Sequence, residues 1–138
     1  MTAHHARPER PGRHAQLADM EDQLAGTLRT LVRAFAAHGI HLGAPEARSD
    51  VDVFRWQALV WRAADKVAEA HTADGRWWVT VVLQAAAREW VSAATQYTAY
   101  SRSGAPWCVR DFAAHAGQVG VMLGRWEARV GPTPEYVV

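Results

Sequence analysis

The sequence predicts an all-α fold: a single-domain, antiparallel four-helix bundle with a disordered N-terminal arm. Three observations carry this. Apolar residues recur at three- and four-residue steps along four long stretches. Glycine- and proline-bearing segments separate those stretches. The chain of 138 residues, 49% hydrophobic, can build one core but not two.

Residues 1–14 contain Pro8, Pro11, Gly12 and scattered charge without periodicity, and are expected to be a disordered arm. His4 and His5 on such an arm read as solvated side chains. The first helix is expected at about 15–38, from the repeat Leu17, Met20, Leu24, Leu28, Leu31 and Phe35, with Gly39 as its C-terminal cap. A loop with Gly43 and Pro45 leads to Ser49, the expected N-cap of a helix at about 50–71, where Asp50 and Asp52 suit the positive helix end.

The third stretch opens with "RWWVTVVL", which alone could be a strand. Val79, Leu83, Ala86, Trp90, Ala93, Tyr97 and Tyr100 then hold helical spacing too long for a strand, so a helix is expected at about 75–102. Gly104 and Pro106 break it. The last helix, about 107–130, repeats Val109, Phe112, Ala116, Val119, Leu123, Trp126 and Val130 before Gly131 and Pro132. The bundle thus occupies 15–131, with a short tail at 132–138.

Composition narrows the function classes. The formal net charge of +1 offers no strong field for nucleic acid or an anionic membrane, and neither is expected as a partner. No apolar run approaches the ~20 residues of a membrane span. The N-terminus lacks the apolar core of a secretory signal. Cys108 is the single cysteine, which rules out an internal disulfide and fits a reducing, cytoplasmic setting. The chain has no Asn, one Lys (Lys66) and one Ile (Ile40). Their codons are AT-rich, so the Arg and Ala richness reads as a GC-rich, bacterial coding bias. Seven Trp are not explained that way.

Motif searches are mostly negative. The sequence has no phosphate-binding glycine loop, no G-x-S-x-G, no H-E-x-x-H and no paired E-x-x-H of di-iron bundles. Asp111 and His115 share a helix face at i, i+4 spacing. The residues His115 to Gln118, "HAGQ", resemble a fragment of the last helix of DinB-like metal bundles. The other histidines of that pattern have no match in this chain, so neither a metal nor a cofactor is expected.

Three groups of residues are candidate functional features. Glu89 projects inward or nearly so, and Gln96 lies almost on the same line two turns later. A tight turn near Gly104 would bring His115 close to them. Glu89, Gln96, Tyr97, Tyr100 and His115, with Trp78, Gly117 and Gly120 nearby, are therefore expected to line one ligand pocket, in which Glu89 and His115 are the candidate catalytic acid–base residues. The ridge Ala113, Gly117, Gly120 and Gly124 carries glycines that each cost roughly 0.8–1 kcal/mol inside a helix. A bulky core side chain packed against the ridge would offset that cost; a ligand or a second helix would do the same. Trp56 and Trp61 project ~140° apart, and Trp77 and Trp78 are adjacent, so one core cannot bury both members of each pair. Phe54, Trp56, Trp61 and Trp77 are accordingly the candidate interface residues.

The chain is thus expected to be a small helical-bundle binding or accessory protein acting through apolar Trp- and Gly-lined faces. Its partner would be a second copy in a homodimer, another protein, or an apolar or aromatic small molecule. The alternative is a small enzyme of bacterial specialised metabolism that uses Glu89 and His115 in an interhelical pocket.

Overall fold

A computed structural model describes residues 12–43, 45, 52–72 and 76–130, with residues 71 and 72 described by backbone alone. Four helices account for nearly all of them: α1, Arg13–Ala36; α2, Val53–Thr72; α3, Trp77–Ser103; and α4, Pro106–Val130. No described residue lies in a strand. His4, His5, Ser49, Asp50 and the tail 132–138 fall outside the described residues.

The helix ends have local causes. α1 stops in a Schellman turn: Gly39 adopts φ 83°, Ile40 N–H bonds to the Phe35 carbonyl and Gly39 N–H to the Ala36 carbonyl, each at 3.0 Å. Buried Ile40 then follows buried Phe35 in the same core cluster. At the start of α2 the Asp52 carboxylate accepts the Arg55 N–H at 3.1 Å, which makes Asp52 the observed cap. α3 ends at Gly104, left-handed at φ 66°, with its N–H bonded to the Tyr100 carbonyl at 2.8 Å. α1 begins two residues earlier than expected. The Arg13 guanidinium ties it down by donating to two carbonyls in the last turn of α3: that of Ser101, and that of Tyr100, which also accepts the Gly104 N–H.

α3 is the central helix. α1, α2 and α4 all pack on it, α1 also touches α4, and α2 packs chiefly on α3. Cross-helix bonds fix the directions. Arg13, Glu21 and Leu24 of α1 meet Tyr100, Tyr97 and Trp90 of α3. Gln57, Ala64 and Val67 of α2 meet Val91, Gln84 and Thr80. His115 of α4 meets Glu89, and the tight turn at Gly104 reverses the chain between α3 and α4. Residue numbers rise on one side as they fall on the other. α3 therefore opposes all three neighbours, and α1 and α2 run parallel. This corrects the strictly antiparallel order expected from the sequence. The segment 37–52 is long enough to return along the bundle, whereas the other connections are short enough to force reversal.

Buried side chains from all four helices join in one cluster that includes Leu24, Leu28, Leu31 and Phe35 of α1, Trp56 and Val60 of α2, Leu83 and Trp90 of α3, and Phe112 and Val119 of α4. Trp90 is fully enclosed, and its indole N–H donates to the Leu24 carbonyl at 3.1 Å. Trp56 is 2% exposed, and its Nε1 has no hydrogen-bond partner among the described residues. It is a core residue, not the interface residue expected: the ~140° between Trp56 and Trp61 turns one indole onto α3 and the other to solvent.

Candidate functional site

Three surfaces on this frame carry chemistry. The first lies in the seam between α3 and α4. His115 Nδ1 and Glu89 Oε2 are 2.6 Å apart, and the two side chains are 35% and 31% exposed. The carboxylate orients the imidazole, so a neutral ring donates from Nδ1 and keeps Nε2 as an acceptor. Such a ring can accept a proton at Nε2 and pass it on from there.

The single pocket expected around this pair is divided. Tyr97 turns away to α1, where its hydroxyl donates to Glu21 Oε2 at 2.5 Å. It lies ~80° around α3 from Glu89, enough to change which neighbour it meets. Partial burial, reinforced by the hydrogen bond to the Glu21 carboxylate and its charge, raises the Tyr97 pKa to about 12. Tyr100 is buried, with the Arg13 guanidinium 6.0 Å from its ring centre. Trp78 is half-buried beneath Arg129, whose guanidinium stands 4.6 Å from the ring centre. Gln96 is half-buried on α3. Gly117 and Gly120 lie ~140–200° around α4 from His115 and open to another side of the molecule.

Tyr97 sets a pH dependence of stability. The native state holds its phenolic proton more tightly than the unfolded chain, whose phenol ionises near pH ~10. The stabilisation is complete below that pH and is lost as pH rises through about 12. In thermal melts against pH, Tyr97→Phe is expected to flatten the alkaline limb between those values. An unchanged limb would show that Tyr97 does not carry it.

The second surface is a groove between α1 and α4 of about 560 Å³, open to solvent. Gly26 of α1 faces Gly117, Gly120 and Gly124 of α4 across it, and Gln23, Thr27, Thr30 and Glu127 supply its polar atoms. Thr27 and Thr30 donate their hydroxyls back to the carbonyls of Gln23 and Gly26. A Cβ built on any of the four glycines would meet nothing within 4 Å. Among the described residues, no large core side chain packs onto the glycine ridge, which corrects the packing role expected for it. At its far end, Trp126 Nε1 donates to His38 Nε2 at 2.7 Å and holds α4 to the end of α1.

The third surface is aromatic. Phe54 is 63% exposed, Trp61 50%, Trp77 66% and Trp107 59%, and Val81 and Val121 are exposed as well. All of these side chains sit on α2, α3 and α4. α1 contributes no large exposed apolar residue. Trp107, in the first turn of α4, was not singled out in the sequence because it precedes Val109, the first residue of the α4 repeat. The Glu21–Tyr97 and Arg13–Tyr100 contacts were also missed. They depend on the rotation of α1 against α3, which periodicity alone does not specify.

Among the described residues, no three His, Cys, Asp or Glu side chains gather to hold a metal ion. No described helix is long and apolar enough to cross a membrane. Comparison with known proteins adds no relative: no family model, curated protein or solved structure matches the chain.

Proposed function

We propose that the chain is a single-domain helical binding protein that works through the apolar surface its fold leaves uncovered, as an accessory or docking module without chemistry of its own. One observation carries this reading. Three indoles and a phenyl ring stand at least half exposed on α2, α3 and α4, while the core beneath them is closed by other residues. Large aromatic side chains left this exposed favour an interaction role, because their area is withdrawn from water only when a partner arrives.

The Glu89–His115 bond favours a second reading, acid–base chemistry at the α3–α4 seam. One experiment separates the two. The gene is replaced in its host by Phe54→Ser/Trp61→Ser/Trp77→Ser or by Glu89→Gln/His115→Asn. Under the binding reading, the surface variant folds, within about 0.5 kcal/mol per site of the parent chain, yet reproduces the deletion phenotype. The dyad variant behaves as the parent. The opposite pattern, with a harmless surface variant and a null dyad variant, overturns the binding reading in favour of catalysis.

A further inference from the structure

We propose that α1 is a self-recognition surface: its outward face pairs antiparallel with the same face of a second copy of this chain, and the two helices cross at Gly26. The proposal goes beyond the binding reading, because α1 carries none of the exposed aromatic residues on which that reading rests.

The carrying feature is a pattern of charge. Asp19, Asp22, Gly26, Arg29 and Arg33 follow one another at three- and four-residue steps. At ~100° per residue they fall within ~80° of arc, so they form one straight stripe. Leu24 and Leu31, which enter the core, lie on the opposite side of α1. The four charged residues are exposed, and Gly26 between them is half-buried beside the groove. Acid occupies the first half of the stripe and base the second. The halves are seven or more residues apart, so no pairing at i, i+3 or i, i+4 neutralises them within the helix. Among the described residues, no ion pair engages Asp19, Arg29 or Arg33.

The dipole of α1 does not account for this order, since its influence fades beyond the first and last turns. The first turn of α1 holds no acidic residue, and of the two arginines only Arg33 lies in the last turn.

A second copy accounts for all of it. When two α1 helices cross antiparallel at Gly26, each residue faces the one equally far on the other side of that glycine. Asp19 then faces Arg33 of the second copy. Asp22 faces Thr30 with Arg29 beside it, and at the ends Ala15 faces Ala37. Every contact is made twice, as two-fold symmetry requires. Gly26 meets its own copy at the axis, where small residues permit an approach of ~8 Å. A Cβ added at Gly26 would meet no described residue within 4 Å, so this point of the backbone is open to the second chain. A parallel pair would set acid against acid and base against base. A partner of one charge sign would be repelled along half of the stripe.

The area fixes the strength. From Ala15 to Ala37 the helix is ~33 Å long, and at ~10 Å across it offers a footprint of ~330 Å² per chain. The pair thus covers ~660 Å², in the class of weak, transient contacts. This is a dynamic dimer held by charge, and salt dissolves it.

The test is sedimentation equilibrium of the whole chain and of two charge-uniform variants. The parent chain is expected to approach twice 15.2 kDa as its concentration rises at low ionic strength. Its dissociation constant should rise at least ~10-fold between ~0.01 M and ~1 M salt, as the Debye length falls from ~30 Å to ~3 Å. Asp19→Arg/Asp22→Arg makes the stripe wholly basic, and Arg29→Glu/Arg33→Glu makes it wholly acidic. Each variant alone is expected to stay monomeric. Mixed in equal amounts, the two pair with each other. Gly26→Cys is expected to give a disulfide-linked dimer on mild oxidation, since only residues at the axis come within the ~3.8 Å Cβ separation of a disulfide. Cys108 is buried and does not compete. If a charge variant fails to fold, the Gly26→Cys cross-link decides alone. A monomer at every concentration in low salt overturns the proposal. So does a dimer indifferent to the charge reversals, or one broken by Trp61→Ser and not by them. The binding reading stands or falls separately, by the in-host test of Phe54, Trp61 and Trp77.

Discussion

Replacing Trp90 by alanine is expected to destabilise the protein by about 3–5 kcal/mol, the range for removing a large buried aromatic side chain. Trp90 sits at the centre of α3, fully enclosed, and its indole bonds to the Leu24 carbonyl of α1 at 3.1 Å. Two costs combine: the cavity left by the ring, and the loss of a buried bond that joins α1 to the central helix. Domains of this kind have roughly 5–15 kcal/mol in total, so Trp90→Ala removes a large share and can unfold the chain near 37 °C. Trp90→Phe keeps most of the volume and isolates the loss of the bond, with an expected cost of about 1–2 kcal/mol. Urea denaturation followed by far-UV circular dichroism measures both. A change below ~1 kcal/mol for Trp90→Ala would mean that Trp90 is not enclosed as described.

The second large effect has the opposite sign. Gly117→Ala, Gly120→Ala and Gly124→Ala together are expected to stabilise the protein by about 2.5–3 kcal/mol, from the ~0.8–1 kcal/mol that each mid-helix glycine costs relative to alanine. No described residue stands within 4 Å of the added methyl groups, so no packing penalty offsets the gain. For a chain of this length the melting temperature should rise by roughly 8–12 °C. A loss of stability would show that a neighbouring side chain fills the groove in solution.

Much of the frame was legible because helical periodicity is a local property. Each of the four helices begins and ends within three residues of its expected bounds. The meeting of Glu89 and His115 was also within reach, because a tight turn at Gly104 fixes which residues of α3 and α4 lie level. What was not legible depends on neighbours distant in sequence. The α1–α4 groove exists because α2 packs chiefly on α3, which leaves α4 as α1's second neighbour. No local pattern encodes that choice. The fate of Tyr97 turned on ~80° of rotation around α3, and that of Trp56 on the side of α2 that meets α3. Gly117 and Gly120 could have been separated from His115 by projection of α4 alone, since ~140–200° of arc does not fit one interhelical pocket.

Under the proposed binding reading, a partner covers the surplus apolar surface of α2, α3 and α4. A native mass spectrum of the protein, purified from its host without denaturation, tests this most directly. The expected result is a species heavier than one 15.2 kDa chain, at a multiple of that mass for self-association or offset by a bound partner. A bare single chain at every concentration, with Phe54, Trp61, Trp77 and Trp107 in open water, would contradict it.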